Sequence, residues 1–133
     1  MNDNETKYDG GSFEVLIIRN EQMEAFSKYE LENFVNNMVA HVMTVWPEGY
    51  REMGELEVRE SIYHAIDRAR EAGIETEYDV ERFIDLIYKF DWATDEEPDA
   101  PWALEILNNT ELDGSTKMDR LWEQAKVILA KET

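Results

Sequence analysis

The sequence predicts an all-α fold: a single-domain, irregular bundle of about five helices preceded by an extended N-terminal arm. Four separate apolar stripes recur with a period near 3.6. Several of them begin at residues that cap helices well or end at residues that stop them. No hairpin turn flanked by alternating apolar residues occurs, and no internal repeat or linker divides the 133 residues.

Residues 1–18 are assigned to the arm and residues 19–133 to the helical domain. The first twelve residues are polar and contain glycine. Phe13 to Ile18 reads as an apolar strand without a partner strand, and so as an arm packed onto helices. The first helix is expected to start at the N-cap Asn20, with Glu21 and Glu24 in its positive first turn. Met23, Phe26, Leu31, Phe34, Val35, Met38, Val42 and Val45 carry its stripe. The pattern slips near Tyr29 and Glu30, where a break is expected, and Pro47 ends the helix at or before Trp46.

The second helix is expected over about Glu55 to Ala72, with Leu56, Arg59, Ile62, Tyr63, Ile66 and Ala69 facing inward. Gly73 then occupies the position just past the helix, where a left-handed residue folds Ile74 back onto Ala69. Thr76 and Asp79 form a variant capping box for the third helix, whose face is Val80, Phe83, Ile84, Ile87 and Tyr88. Pro101 opens a short fourth helix to about Asn108. A turn containing Asp113-Gly114 follows. Thr116 is the expected cap of the fifth helix, with the stripe Met118, Leu121, Trp122, Ala125, Ile128 and Leu129.

Composition narrows the chemistry. A chain of this length buries roughly two-thirds of its unfolded surface, enough for a core without staples. With no cysteine it has no disulfide, thiolate zinc site or cysteine nucleophile, which fits a cytoplasmic setting. The N-terminus has no basic and apolar leader pattern, and no apolar run approaches the ~20 residues of a membrane span. The formal charge of −18, from 31 acidic and 13 basic residues, opposes direct binding of nucleic acid or anionic membrane and favours encounter with a basic partner.

The candidate catalytic sites are weak. His64 has Glu60 four residues before it and Asp67 three after, but the spacing matches neither a di-iron helix pair nor a zinc-protease motif. Asp91, Asp95, Glu96, Glu97 and Asp99 form an acidic block without the glycine of a calcium loop. No phosphate-binding glycine loop or nucleophile elbow occurs. The expectation is no enzyme activity, no cofactor and no structural metal.

The better candidate is a partner surface. Trp92 and Trp102 flank the acidic block, so Trp92, Asp95, Glu96, Glu97 and Trp102 are assigned to protein binding. The charges steer a partner and the rings anchor it. The competing reading makes such tryptophans plain core.

Several segments occur in a familiar order. Residues 19–26 open the first helix, and Val39-Ala40-His41-Val42 runs into Trp46-Pro47-Glu48. Residues 65–70 are followed by Gly73-Ile74, and residues 79–86 by Pro101-Trp102-Ala103 and Met118-Asp119-Arg120-Leu121. In this order they resemble a family of short helical bacterial proteins encoded beside type VI secretion effectors, adaptors and spike-tip proteins. The resemblance spans roughly residues 19–129 and leaves the arm outside. It implies an adaptor or co-chaperone that helps an effector assemble, and it carries over no catalytic residue. An immunity protein that masks a basic toxin surface is the alternative, and an acidic DNA decoy is a more distant one.

Overall fold

A computed structural model describes residues 27–92 and 100–132. Among them lie five helices and no strand, so the fold is all-α. The arm over 1–18, the expected cap Asn20, and Met23 and Phe26 all lie outside the described residues. The described residues group into two compact units that divide between Tyr63 and His64.

In the first unit, α1 is Lys28–Val45. Ser27 is its N-cap. The Ser27 hydroxyl accepts from the Glu30 amide at 3.1 Å, and the Ser27 amide donates back to the Glu30 carboxylate at 3.1 Å. This reciprocal box satisfies two amides that have no partner inside the helix. The slip near Tyr29 and Glu30 is therefore a helix start, placed just before them. Leu31, Phe34, Val35, Met38, Val39 and Val42 are buried, whereas Val45, expected in the stripe, is 47 % exposed at the helix end.

The next helix, α2, is Pro47–Glu71 and begins earlier than expected. Pro47 stops α1, but it also occupies the first position of α2, where its missing N–H costs nothing. The Tyr50 amide donates to the Trp46 carbonyl at 3.0 Å. The helix kinks at Gly54, whose φ of 82° and ψ of 159° suit glycine alone. Beyond the kink the inward phase is Val58, Ile62, Ala65, Ile66 and Ala69. Leu56, expected inside, is 72 % exposed. The expected stripe runs through Arg59 and Tyr63, which are half-buried at its edge. Arg59 donates to the Asn36 side chain on α1 at 2.9 Å and pairs with Glu55 at 3.1 Å. Burial raises the Tyr63 pKa, Arg59 opposing and Glu32 adding to the shift.

In the second unit, α2 ends as the sequence predicts. Gly73 has φ 85°. Its amide donates to the Arg70 carbonyl at 2.9 Å, and the Ile74 amide to the Ala69 carbonyl at 2.8 Å, the two bonds of a Schellman turn. Ile74 and Ala69 are both fully buried.

Helix α3, Glu77–Lys89, is capped by the Thr76 hydroxyl, which accepts from the Asp79 amide at 3.1 Å. Only half of the expected capping box forms, because the Asp79 carboxylate turns to Arg82 and Ser115. Val80, Phe83, Ile84 and Ile87 are buried as expected, and Leu86 joins them.

Helix α4 is Pro101–Leu107 and α5 is Gly114–Lys131; α5 packs against both α3 and α4. The α5 cap is Asp113, whose carboxylate accepts from the Thr116 amide at 2.8 Å. Thr116, the expected cap, is therefore three residues inside, and the helix starts one turn early. Met118, Leu121 and Ala125 are buried, while Trp122, Ile128 and Leu129 are half-buried at the stripe's edge.

A candidate protein-binding surface

Helix α3 ends in a second Schellman turn. Asp91 takes the left-handed position with φ 63°. The Asp91 amide donates to the Tyr88 carbonyl at 3.3 Å and the Trp92 amide to the Ile87 carbonyl at 2.7 Å. Trp92 thus occupies the position that Ile74 fills after α2, and it folds inward for the same reason.

Three rings meet there. Phe90 stacks on Trp92 with centroids 5.0 Å apart and an interplanar angle of 18°. Trp102, in the first turn of α4, meets Phe90 edge-on at 5.6 Å and Trp92 at 5.9 Å. Such pairs add to the effect of burial alone. Trp92 is 5 % exposed, so of the two readings given for its ring, core is the one its geometry has. Trp102 is half-buried, with part of its ring at the surface. Asp95, Glu96 and Glu97 lie outside the described residues.

Trp102 also lines an open groove between α4 and α5, about 670 Å³ in volume. On the α4 side lie Trp102, Glu105 and Ile106, spaced i, i+3 and i+4. The α5 side runs through Thr116, Asp119, Glu123 and Val127, with Arg120 and Gln124 beside them. These α5 positions fall on one helix face. The groove is therefore a trough along the α5 face, walled on its other side by one turn of α4, apolar at Trp102, Ile106 and Val127 and charged between.

The α5 wall is held by a polar cluster. Arg82 on α3 donates to Asp79 at 2.6 Å and to Asp119 at 3.0 Å. Ser115 donates to the other Asp79 oxygen at 3.1 Å. The guanidinium lies 4.6 Å from the Tyr78 ring centroid and 5.7 Å from that of Trp122. Burial alone would lower the Arg82 pKa, but its bonds to the two carboxylates outweigh that and raise it. The end of α4 is held by Lys117, which is 6 % exposed and donates to the Leu107 carbonyl at 2.8 Å. Burial, then the nearby charge of Arg68, lowers the Lys117 pKa.

Sequence reasoning placed Trp102 at the site and missed Glu105, Ile106, Glu123 and Val127. The α5 positions 116, 119, 123 and 127 are a helical stripe opposite the apolar one and were open to inspection. Their meeting with α4 is a tertiary contact that periodicity does not carry. Comparison with family models, with curated proteins and with solved structures finds no match to this chain. No helix among the described residues is long and apolar enough to cross a membrane.

Proposed function

We propose that this protein is a non-enzymatic, cytoplasmic accessory that binds another protein, as an adaptor or co-chaperone of a type VI secretion effector module. The observation that carries protein binding is the open trough beside Trp102. It offers an aromatic edge and aliphatic side chains within a charged border, the composition of a binding hot spot. The secretion setting rests on the order and spacing of segments over residues 19–129. A net charge of −18 supports a partner with a basic surface.

The same charge favours a second reading, an immunity protein that covers a basic toxin. Capture from native lysate on the immobilised full chain, followed by mass spectrometry, separates the two. The adaptor reading expects an effector, its chaperone or a spike-tip protein. A toxin captured without any of these selects the immunity reading. Retention of nothing beyond what a charge-matched acidic control column holds would defeat both.

A further inference from the structure

We infer that the trough between α4 and α5 is a seat for one basic, amphipathic helix of the partner; this rests on the protein-binding reading above. Three features select that occupant. The first is shape. From Thr116 to Val127 the α5 wall runs about 16 Å, which matches three turns of a docked helix. On the α4 side the lining is a single turn, Trp102 to Ile106, so the α5 face carries most of the length along which a docked helix would make contacts at i, i+3, i+4 and i+7.

The second is the placing of the apolar groups. Trp102 and Ile106 are half-buried on one wall, and Val127 is 47 % exposed on the other. They would meet a narrow apolar stripe on the incoming helix. The third is charge. Glu105, Asp119 and Glu123 line the trough against Arg120. Asp119 is already held by Arg82, and Glu123 pairs with Lys126 at 3.4 Å in a solvent-exposed contact of little strength. Glu105 and Glu123 therefore remain the charges that Lys or Arg beside the stripe would meet. A second copy of this chain is a poor occupant, because it would bring another charge of −18.

The test uses the full chain and a synthetic helical peptide with a leucine stripe at i, i+3, i+4 and i+7 flanked by lysines. Two control peptides accompany it: one of the same composition scrambled to remove the stripe, and one with glutamate in place of lysine. The Trp102 indole resonance and a titration curve report binding. The seat predicts saturable binding of the first peptide that shifts the Trp102 signal. Both controls should bind at least about tenfold more weakly, and V127E and E105K should each weaken the first peptide to a similar degree. Both substitutions fall at exposed positions, and unchanged melting would show the fold intact.

Equal binding of the scrambled peptide would reduce the effect to charge and overturn the seat. So would unchanged affinity in both variants, or self-association at this surface that the variants abolish. The lysate capture tests the underlying reading separately. A partner retained equally by V127E and E105K would overturn the seat and leave the accessory role standing. Peptide binding at Trp102 with no partner captured would support the seat and remove the accessory role.

Discussion

Gly114, in the first turn of α5, packs its α-carbon directly against the Gly73 backbone at the end of α2. A β-carbon on Gly114 would fall on the Gly73 carbonyl and within 2.8 Å of the Ile74 amide nitrogen. The obstructing atoms are backbone, which no rotamer change can move. Gly73 differs: a β-carbon there would meet Gly114 only at 3.7 Å, an ordinary contact, and its constraint is its φ of +85°. Gly114→Ala is thus expected to destabilise by about 3 kcal/mol or more through overpacking. Gly73→Ala should cost about 1 kcal/mol, the left-handed strain less the entropy removed from the unfolded chain. Denaturant melts of the two variants would check the order; equal losses would contradict the close approach.

Asp91 does after α3 what Gly73 does after α2, but with a side chain in the left-handed region. Asp91→Gly relieves that strain and adds unfolded-state freedom, two effects of opposite sign. The strain term is the larger for a residue with a β-carbon, so the variant should be more stable by about 0.5 kcal/mol. A melting midpoint below that of the parent would count against the assigned turn.

The two turns also mark what was legible in the sequence. Gly73-Ile74 was readable because glycine after a helical stripe has few other uses. Asp91-Trp92 carries no such sign, so the sequence assigns Trp92 to the partner surface although the same geometry turns it inward. At α5 the sequence reads Asp113-Gly114 as a turn and Thr116 as the cap, whereas Asp113, three residues earlier and just as able to cap, takes the role. Helix existence was fixed by periodicity, but the phase of α2 was not, since Leu56 fits a stripe drawn through Arg59 as readily as Val58 fits the true one. Of the trough, Trp102 and the α5 stripe through Thr116, Asp119, Glu123 and Val127 are legible locally, but nothing local brings α4 and α5 together.

Arg82 holds the buried Asp79 carboxylate, which is 7 % exposed at its side chain. Arg82→Leu would leave that charge with only the Ser115 hydroxyl and the α3 N-terminus for support. Removing one partner of a buried pair costs about 3 kcal/mol here, the low end of the usual range because Ser115 remains. Adding Asp79→Leu should recover much of the loss, since the isolated buried charge is the source of the penalty. A double variant as unstable as the sum of the singles would show the pair to be uncoupled.

Asp113 supplies a pH signature. Its hydrogen bonds to the Thr116 amide and hydroxyl lower its pKa from the ordinary 3.8. A carboxylate with a depressed folded pKa contributes stability above its unfolded value and loses it as pH falls through the folded value. Asp113→Asn keeps an N-cap acceptor without the titration. Chemical melts from neutral pH to below pH 3.8 should show the parent losing its advantage over this variant as the carboxylate protonates. A difference that stays constant over that range would mean the cap is not ionic.

Trp92 and Trp102 touch each other yet should separate in experiment. Trp92 is buried and stacked on Phe90, so Trp92→Ala removes a filled core volume and should cost about 4 kcal/mol. Its effect on a partner would then follow from lost structure. Trp102 keeps part of its ring at the trough, so Trp102→Ala should cost less stability, about 1–2 kcal/mol, and should weaken partner binding at temperatures where the chain is still folded. The two quantities must be measured together, by melting and by binding on the same preparations. Trp92→Phe supplies the control, since it keeps an aromatic filler beside Phe90 and leaves Trp102 in place. It should restore most of the stability lost in Trp92→Ala and bind as the parent does. If Trp102→Ala bound the partner unchanged, the trough's aromatic edge would be packing alone and the contact surface would lie elsewhere.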